Sequence, residues 1–149
     1  MQIISYILNF FKLSSLIVVI GSTITLGALM APVIFKVLER SEAAKLMVDI
    51  FARYDAWLNI AVIILLISYS IDLILIQKLN WGIPQIITAL GVVLISVLSF
   101  YLIYTLSPEI HEAYSNQAEN FKELHNTSEK IHKFNFLIGI IVLISSFII

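Results

Sequence analysis

Three histidines with metal-binding chemistry share one stretch of the chain, residues 107–133. They are His111, His125 and His132, and Glu129 precedes His132 by three positions. Glu-x-x-His is the half-motif that carboxylate-bridged metal sites place on one helix, and imidazole with carboxylate suits zinc, iron, copper or nickel. The pattern therefore predicts a metal site formed by His125, Glu129 and His132. The alternative is a polar interfacial helix without a metal, because a two-metal site needs a second such motif and the sequence has none.

Small residues recur along one face of the first apolar segment. They are spaced at i, i+7, i+11, i+14 and i+18, and they are Ser14, Gly21, Thr25, Ala28 and Pro32. Small side chains let the backbones of two membrane helices approach closely. Tight packing against another helix is the simpler interpretation, and a path for a solute through the bundle is the alternative.

One acidic residue, Asp72, interrupts an apolar segment. A charged residue at membrane depth indicates function by default, because burying it in lipid is costly. Asp72 lies about one turn from the end of its segment and close to Lys78 in sequence, so we expect it to pair or to reach water at the interface. The sequence shows no deeper ionisable relay, and proton-coupled transport therefore has no support at this level.

Weakly polar residues mark the third and fourth apolar segments. They are Gln85, Thr88, Ser96, Ser99, Asn135, Gly139 and Ser146. These residues could line a narrow cavity. Interhelical hydrogen bonds, each worth about 0.6 kcal/mol in a membrane protein, are the simpler interpretation.

The composition indicates a membrane protein and excludes several kinds of chemistry. The 149 residues are 60% hydrophobic and 13% charged, with a net charge of -1 and no cysteine. Soluble domains carry roughly 25% charged residues, so this chain could not cover a water-facing surface. The absence of cysteine excludes disulfides, thiolate catalysis and iron–sulfur clusters. The chain has no basic field for nucleic acid and no glycine-rich phosphate loop.

Two charged windows, residues 36–55 and 107–133, hold sixteen of the nineteen formally charged residues. The remaining stretches are continuously apolar and close to the length of about 20 residues that a helical span needs. They lack the period-two alternation of membrane barrels. The chain is therefore predicted to be an all-α, integral membrane four-helix bundle in a single domain, residues 1–149. The predicted spans are residues 13–35, 56–76, 83–106 and 131–149.

The charged windows are predicted to form two amphipathic helices. Apolar residues recur at helical spacing from Ser41, the expected N-cap, to Tyr54. In the second window, Ser107 followed by proline and an acid is typical of a helix start. Asn126 with an acid three residues later predicts another start, so we expect a turn near residues 125–127.

Basic residues predict the orientation of the chain in its membrane. The two charged windows hold seven of the nine Lys and Arg residues, and cytoplasmic loops carry such an excess. Both windows, 36–55 and 107–133, are therefore predicted to face the cytoplasm of a cell membrane or inner membrane, with both termini on the other side. Residues 1–12 are too apolar for a tail, and we expect them to bend or to lie along the membrane surface.

Short motifs recur at the ends of the predicted spans. Pro-x-x-Phe ends the first span, Phe-x-x-Tyr ends the first window, and His-x-x-Ser precedes the last span. This arrangement resembles the transmembrane-protein-205-like family, small four-span membrane proteins with a domain of unknown function. The residues that match its pattern are Gly21, Pro32, Phe35, Phe51, Tyr54, His125, Ser128 and Asn135.

The resemblance implies a site at the cytoplasmic ends of the spans, because all of these residues except Gly21 would lie there. The layout is also similar to that of copper-resistance membrane domains and of haem-dependent four-span protoporphyrinogen oxidases. Those relatives typically carry histidine within a span, whereas this chain has all three histidines in its second charged window. Haem or copper inside the bilayer is therefore not favoured.

The leading functional hypothesis is a membrane protein without catalytic machinery that handles or exports a metal or small solute, in a resistance-type role. An accessory or assembly subunit of a larger membrane complex is the first alternative. A haem- or metal-binding redox membrane protein is the second. The expected cofactor, if there is one, is a metal ion rather than haem. The expected partners are membrane lipid and either a second copy of the chain or a larger membrane complex, and not nucleic acid.

Overall fold

Six α-helices and three π-helical segments account for nearly all of the chain that the structure describes. The structure is a computed structural model, and it describes residues 2–76 and 82–148. In chain order the elements are α1 (Gln2–Thr23), a π-helical segment (Ile24–Met30), α2 (Ala31–Val37), α3 (Arg40–Ile71), a π-helical segment (Asp72–Ile76), α4 (Ile83–Tyr101), a π-helical segment (Leu102–Leu106), α5 (Ser107–Ser115) and α6 (Phe121–Ile148).

The first and third π-helical segments each join two α-helices into a longer rod, and the second extends α3. Among the described residues, four helical rods are long and apolar enough to cross a membrane: Gln2–Val37, Arg40–Leu75, Ile83–Ser115 and Phe121–Phe147. The described residues contain no strand, so the predicted all-α membrane helical bundle is confirmed. A rod of 36 residues is about 54 Å long at 1.5 Å per residue. The rods therefore exceed a hydrocarbon core of about 30 Å.

Both amphipathic segments are continuous with a span, the first with the second span and the second with the third. The stretch that begins near Ser41 lies in α3, which starts at Arg40 with Glu39 as its N-cap. The prediction of Ser41 as the cap was therefore wrong by two residues. Residues 2–12 likewise belong to α1 and continue directly into the first span.

The predicted turn at 125–127 was wrong, because the chain turns at residues 116–120 instead. Gln117 has a positive φ of 52°, and the amide of Ala118 donates to the carbonyl of Ala113 at 2.8 Å. This is a Schellman arrangement, which satisfies the last carbonyls of α5 and ends it. As a result α6 starts at Phe121, and Asn126 is inside a helix rather than at its start.

The four rods form a ring in which α1 and α4 each pack against both α3 and α6. Small residues bring α4 and α6 close together, since a Cβ at Gly91 would collide with a methyl group of Val142. In this α4–α6 seam Asn135 also donates to the Ser99 hydroxyl at 3.1 Å. This is an interhelical hydrogen bond of the kind expected for the weakly polar residues. The buried core is apolar and comprises Leu16, Val19, Leu58, Val62, Leu65, Val92, Ile95, Leu102 and Val142.

Asp72 pairs with a residue that the sequence did not suggest. Its Oδ2 lies 2.9 Å from Lys12 Nζ, and the side chains are only 5% and 15% exposed. Lys78, the partner expected from sequence, lies outside the described residues. The pair joins α1 to the segment after α3, at the end of the bundle opposite the charged windows.

Candidate functional site

A cavity of about 640 Å³ opens at the charged end of the bundle, the end that carries residues 36–55 and 107–133. We call it the main cavity. One wall is apolar and comes from the first rod, where Leu26, Ala28 and Phe35 line it. Most of the remaining lining comes from α3 and α6, which contribute aromatic and polar side chains together with apolar ones such as Met47. The lining therefore combines apolar, aromatic and polar groups, and we call the part from α3 and α6, with Ser22 of α1, the polar wall.

The main cavity forms because the first and last rods touch and then part. A Cβ at Gly139 of α6 would lie 2.9 Å from Ile20 Cγ1 of α1, so the helices meet closely there. Toward the charged end, the first rod becomes π-helical over Ile24–Met30, and α2 then packs mainly on α3. π-helical turns frequently occur at functional sites, and this one contributes Leu26 to the apolar wall.

Three aromatic rings and the Ser22 hydroxyl form the inner part of the polar wall. The His132 ring stacks on Phe51 with centroids 5.8 Å apart, and it lies 5.6 Å from the Tyr54 ring. The hydroxyl groups of Tyr54 and Ser22 are hydrogen-bonded at 2.9 Å. These contacts tie α1, α3 and α6 together, so the aromatic rings have fixed positions in the cavity.

Two buried polar groups in this wall lack a hydrogen-bond partner among the described residues. They are Asp55 Oδ1 and His132 Nε2, on residues that are 6% and 8% exposed. Ser107 is a hydrogen-bonding neighbour of the Asp55 side chain, but it does not satisfy Oδ1. Buried polar atoms are almost always paired. These two atoms therefore mark where a ligand or ordered water would bind.

A second cavity of about 500 Å³ adjoins the first, and we call it the side cavity. Asp55 and Ser107 line both cavities, and so do Ala52 and His111. The side cavity also reaches Glu112, an exposed residue of α5. Asp55 thus lies in the partition between the main cavity and a second opening on the surface.

The three predicted metal ligands lie on one helix, because α6 runs unbroken through residues 121–148. Glu129 Oε1 lies 3.6 Å from His125 Nε2, and Glu129 Oε2 lies 3.0 Å from Lys133 Nζ. His132 instead enters the aromatic cluster. Within residues 2–76 and 82–148, no three His, Asp or Glu side chains are grouped so as to hold a metal ion. The metal site therefore stays a prediction without support from this arrangement.

Most of the residues that carry the family resemblance border the main cavity. Five of them line it, namely Phe35, Phe51, Tyr54, His125 and Ser128. Asn135 instead joins α6 to α4, and Pro32 is exposed. Gly21 is open, since an added Cβ there would have nothing within 4 Å. Five of the eight residues therefore border one cavity, and their role as a site stays a prediction.

The small-residue face of the first span does not act as a single packing surface. Gly21 has no close neighbour within the described chain, whereas Ala28 lines the main cavity. The π-helical segment between them changes the number of residues per turn, so the two residues do not follow the α-helical spacing. The tight packing expected at Gly21 is therefore absent from the described residues.

Sequence reasoning missed Asp55, Ser22 and Ser107. Asp55 ends the first charged window and is not among the site residues predicted from sequence. A signal was present, since Asp55 follows buried Met47 by eight residues and precedes buried Leu58 by three. That spacing places an acid on the apolar stripe of a helix. Ser22 and Ser107 carried no comparable signal.

The comparison with protein families adds one match. Residues 14–119 match a family described as a domain of unknown function, DUF4149. No curated protein and no solved structure matches the chain. The match includes the parts of the main cavity contributed by α1 to α5, and α6 lies beyond it. Because it spans more than half of the 149 residues, the chain belongs to the DUF4149 family.

Proposed function

We propose that this protein binds a cationic, amphipathic small solute in the main cavity, as part of handling or exporting that solute. The observation that carries the proposal is Asp55, an acidic residue 6% exposed whose Oδ1 has no partner among the described residues. A buried ionised carboxylate is costly unless a cation or several hydrogen bonds accompany it. A bound cation would supply that partner.

The aromatic residues around Asp55 support a cation as the ligand. Phe51 and Tyr54 are on the same helix, and His132 packs against both. The faces of aromatic rings attract organic cations, by about 0.5–2 kcal/mol for each ring. A carboxylate that lines the same cavity as such rings suits a delocalised organic cation better than a small metal ion, which needs several oxygen or nitrogen ligands.

The shape of the main cavity supports an amphipathic ligand. Its volume of about 640 Å³ lies within the range of roughly 300–1,000 Å³ that holds drug-sized molecules. Leu26, Ala28 and Phe35 offer an apolar surface in the same cavity as Asp55. A ligand with one charged group and an apolar body would contact both walls at once.

Basic residues on the rim of the main cavity repel a bound cation only weakly. Arg40, Lys122 and Lys133 line the cavity and are exposed, and Lys133 is already paired with Glu129 at 3.0 Å. Water and salt screen exposed charges over about 8–10 Å, whereas Asp55 is buried. The nearby carboxylate therefore dominates the interaction with a ligand in the cavity.

The proposal can be tested with tetraphenylphosphonium, a lipophilic aromatic cation, by calorimetric titration of the protein in dodecyl maltoside micelles. We expect saturable binding at one site and a loss of about 10- to 100-fold in affinity for Asp55→Asn, because a carboxylate and a cation about 6–10 Å apart attract each other by about 1.7–2.8 kcal/mol at an effective dielectric constant near 20. The control is Asp49→Asn, the same change at an exposed position on the same helix. Equal affinities for both variants, or no saturable binding by the wild type, would overturn the proposal.

The proposal also includes the orientation of the protein in its membrane and its narrower family. The charged end faces the cytoplasm, which the excess of basic residues in its two windows supports. The chain also belongs to the transmembrane-protein-205-like group, which the five motif residues bordering the main cavity support.

The orientation can be tested with single cysteines that replace Gln2 or Ser41, since the chain has no cysteine of its own. Both positions are exposed, and they lie near opposite ends of the first rod. A membrane-impermeant maleimide added to intact cells should label only the Gln2→Cys variant. The reverse pattern, with only Ser41→Cys labelled, would contradict the orientation.

A further inference from the structure

We infer that Asp55 gives up a proton through the side cavity when a cation occupies the main cavity, so that ligand binding and proton release are coupled. This inference rests on the proposed function and adds an exchange activity to it. Two observations carry it. Asp55 is buried with no partner for Oδ1 among the described residues, and it lines two cavities rather than one.

The partition between the cavities gives the proton a separate route. Asp55 and Ser107 border both spaces, and the side cavity continues to His111 and Glu112, which are exposed. A ligand in the main cavity would cover the part of Asp55 that borders that cavity. The carboxyl group would still be reachable from the side cavity, through which water can carry a proton away.

The charge balance favours an exchange of the proton for the cation over binding of the cation without proton release. With an empty main cavity, a buried carboxyl group avoids the cost of an unpaired charge by holding a proton. When a cation binds, the O–H bond of the carboxyl group breaks and the proton passes to water in the side cavity. The carboxylate that remains pairs with the cation. One positive charge enters and one leaves, so the net charge of the buried site does not change.

Other charged and titratable groups face the cavities from the packed elements. They are Arg40 and Tyr54 from α3, His111 and Glu112 from α5, and Lys122, His125, Glu129, His132 and Lys133 from α6. The lining residues of the first rod include no titratable group. Among the acids in this set, Glu112 and Glu129 are exposed, and only Asp55 is buried. We therefore assign the exchanged proton to Asp55.

The experiment measures proton release while tetraphenylphosphonium is titrated into the full-length protein in weakly buffered micelles that contain a pH indicator. We expect close to one proton for each cation bound at pH values where Asp55 is protonated. Over that range, the affinity for the cation should rise by up to about tenfold per pH unit and then level off. Asp55→Glu should keep the release, and Asp49→Asn should leave it unchanged.

The outcomes separate this inference from the proposed function. Saturable binding that is independent of pH and releases no proton would overturn the exchange and leave the binding site intact. Absence of binding at every pH would overturn both the exchange and the proposed function.

The route of the proton through the side cavity is tested separately by Ala56→Phe, which fills the side cavity, with Ile60→Phe one turn away as the control. Stopped-flow mixing should show at least fivefold slower proton release for Ala56→Phe alone, and equal rates for both variants would contradict the route.

Discussion

The imidazole of His132 stacks on the ring of Phe51, with centroids 5.8 Å apart and ring planes 29° apart. This contact joins α6 to α3 across the charged end of the bundle. It leaves His132 Nε2 buried and without a partner among the described residues. The ring thus has two separable roles, one in packing and one in presenting a polar atom to the main cavity.

Replacement of His132 by Phe or Ala should separate these roles. His132→Phe keeps a stacked ring and removes an unpaired polar atom, so the free energy of unfolding in mixed micelles should be unchanged or rise by about 1 kcal/mol. His132→Ala removes the stacking and should lose about 0.5–1.5 kcal/mol. His132→Ala should weaken tetraphenylphosphonium binding because it removes a ring that lines the main cavity, whereas His132→Phe should largely keep the affinity, since it retains a ring and this cation has no hydrogen-bond donor for Nε2. Weaker binding by His132→Phe than by His132→Ala would contradict this role of the ring.

Two glycine-to-alanine changes should have opposite effects on stability. A Cβ at Gly91 would collide with Val142 and lie 3.3 Å from Ile138 Cγ2, so Gly91→Ala should lose about 1–3 kcal/mol of unfolding free energy through overpacking. Gly21→Ala meets nothing within 4 Å and should gain about 0.5–1 kcal/mol from reduced backbone freedom in the unfolded chain. Denaturation by sodium dodecyl sulfate in mixed micelles measures both. Equal losses of unfolding free energy for the two variants would mean that Gly21 is packed against a partner outside this chain.

The Lys12–Asp72 ion pair should be energetically coupled. Lys12→Met, Asp72→Asn and the double variant form a cycle, and we expect a coupling energy of about 0.5–3 kcal/mol for such a contacting pair. Glu129 and Lys133 are also 3.0 Å apart but are half or more exposed, and their cycle should give less than about 0.5 kcal/mol. A coupling energy near zero for Lys12 and Asp72 would refute a stabilising role for the buried pair.

The hydrogen bond from Asn135 to Ser99 should contribute modestly to the α4–α6 seam. Ser99→Ala should lower the free energy of unfolding by about 0.6 kcal/mol, the average for interhelical hydrogen bonds in a membrane protein. Ser146 is a suitable control because its hydroxyl donates within its own helix, to the Val142 carbonyl at 2.7 Å. Ser146→Ala should change the free energy less. A larger loss for Ser146→Ala than for Ser99→Ala would contradict this assignment.

The spans could be predicted from sequence because hydropathy is a local property. A continuous apolar stretch needs no knowledge of its neighbours to indicate a membrane helix. The position of the turn after α5 was harder to predict, because Gln117 ends the helix in a positive-φ conformation and is neither glycine nor asparagine, the usual residues there. The capping pattern at Asn126 was the stronger sequence signal and it was misleading.

Contacts between the rods could not be predicted in the same way. Lys12 and Asp72 are 60 residues apart, and no local pattern relates the depth of one span to that of another. The π-helical segment Ile24–Met30 also breaks the 3.6-residue spacing on which the face of small residues was assigned. The burial of Asp55 could not be predicted from the local spacing of apolar residues alone, because it also depends on which rods pack against α3.

The most direct test of cation-for-proton exchange at Asp55 uses protein labelled with ¹³C at the side-chain carboxyl carbons of its three aspartates, Asp49, Asp55 and Asp72, at a pH where Asp55 of the free protein is protonated. The Asp55→Asn spectrum identifies the Asp55 signal by its loss. On saturation with tetraphenylphosphonium, we predict that the Asp55 signal moves toward the position of an ionised carboxylate while the Asp49 and Asp72 signals stay in place. Saturable binding that leaves the Asp55 signal unmoved would contradict the account.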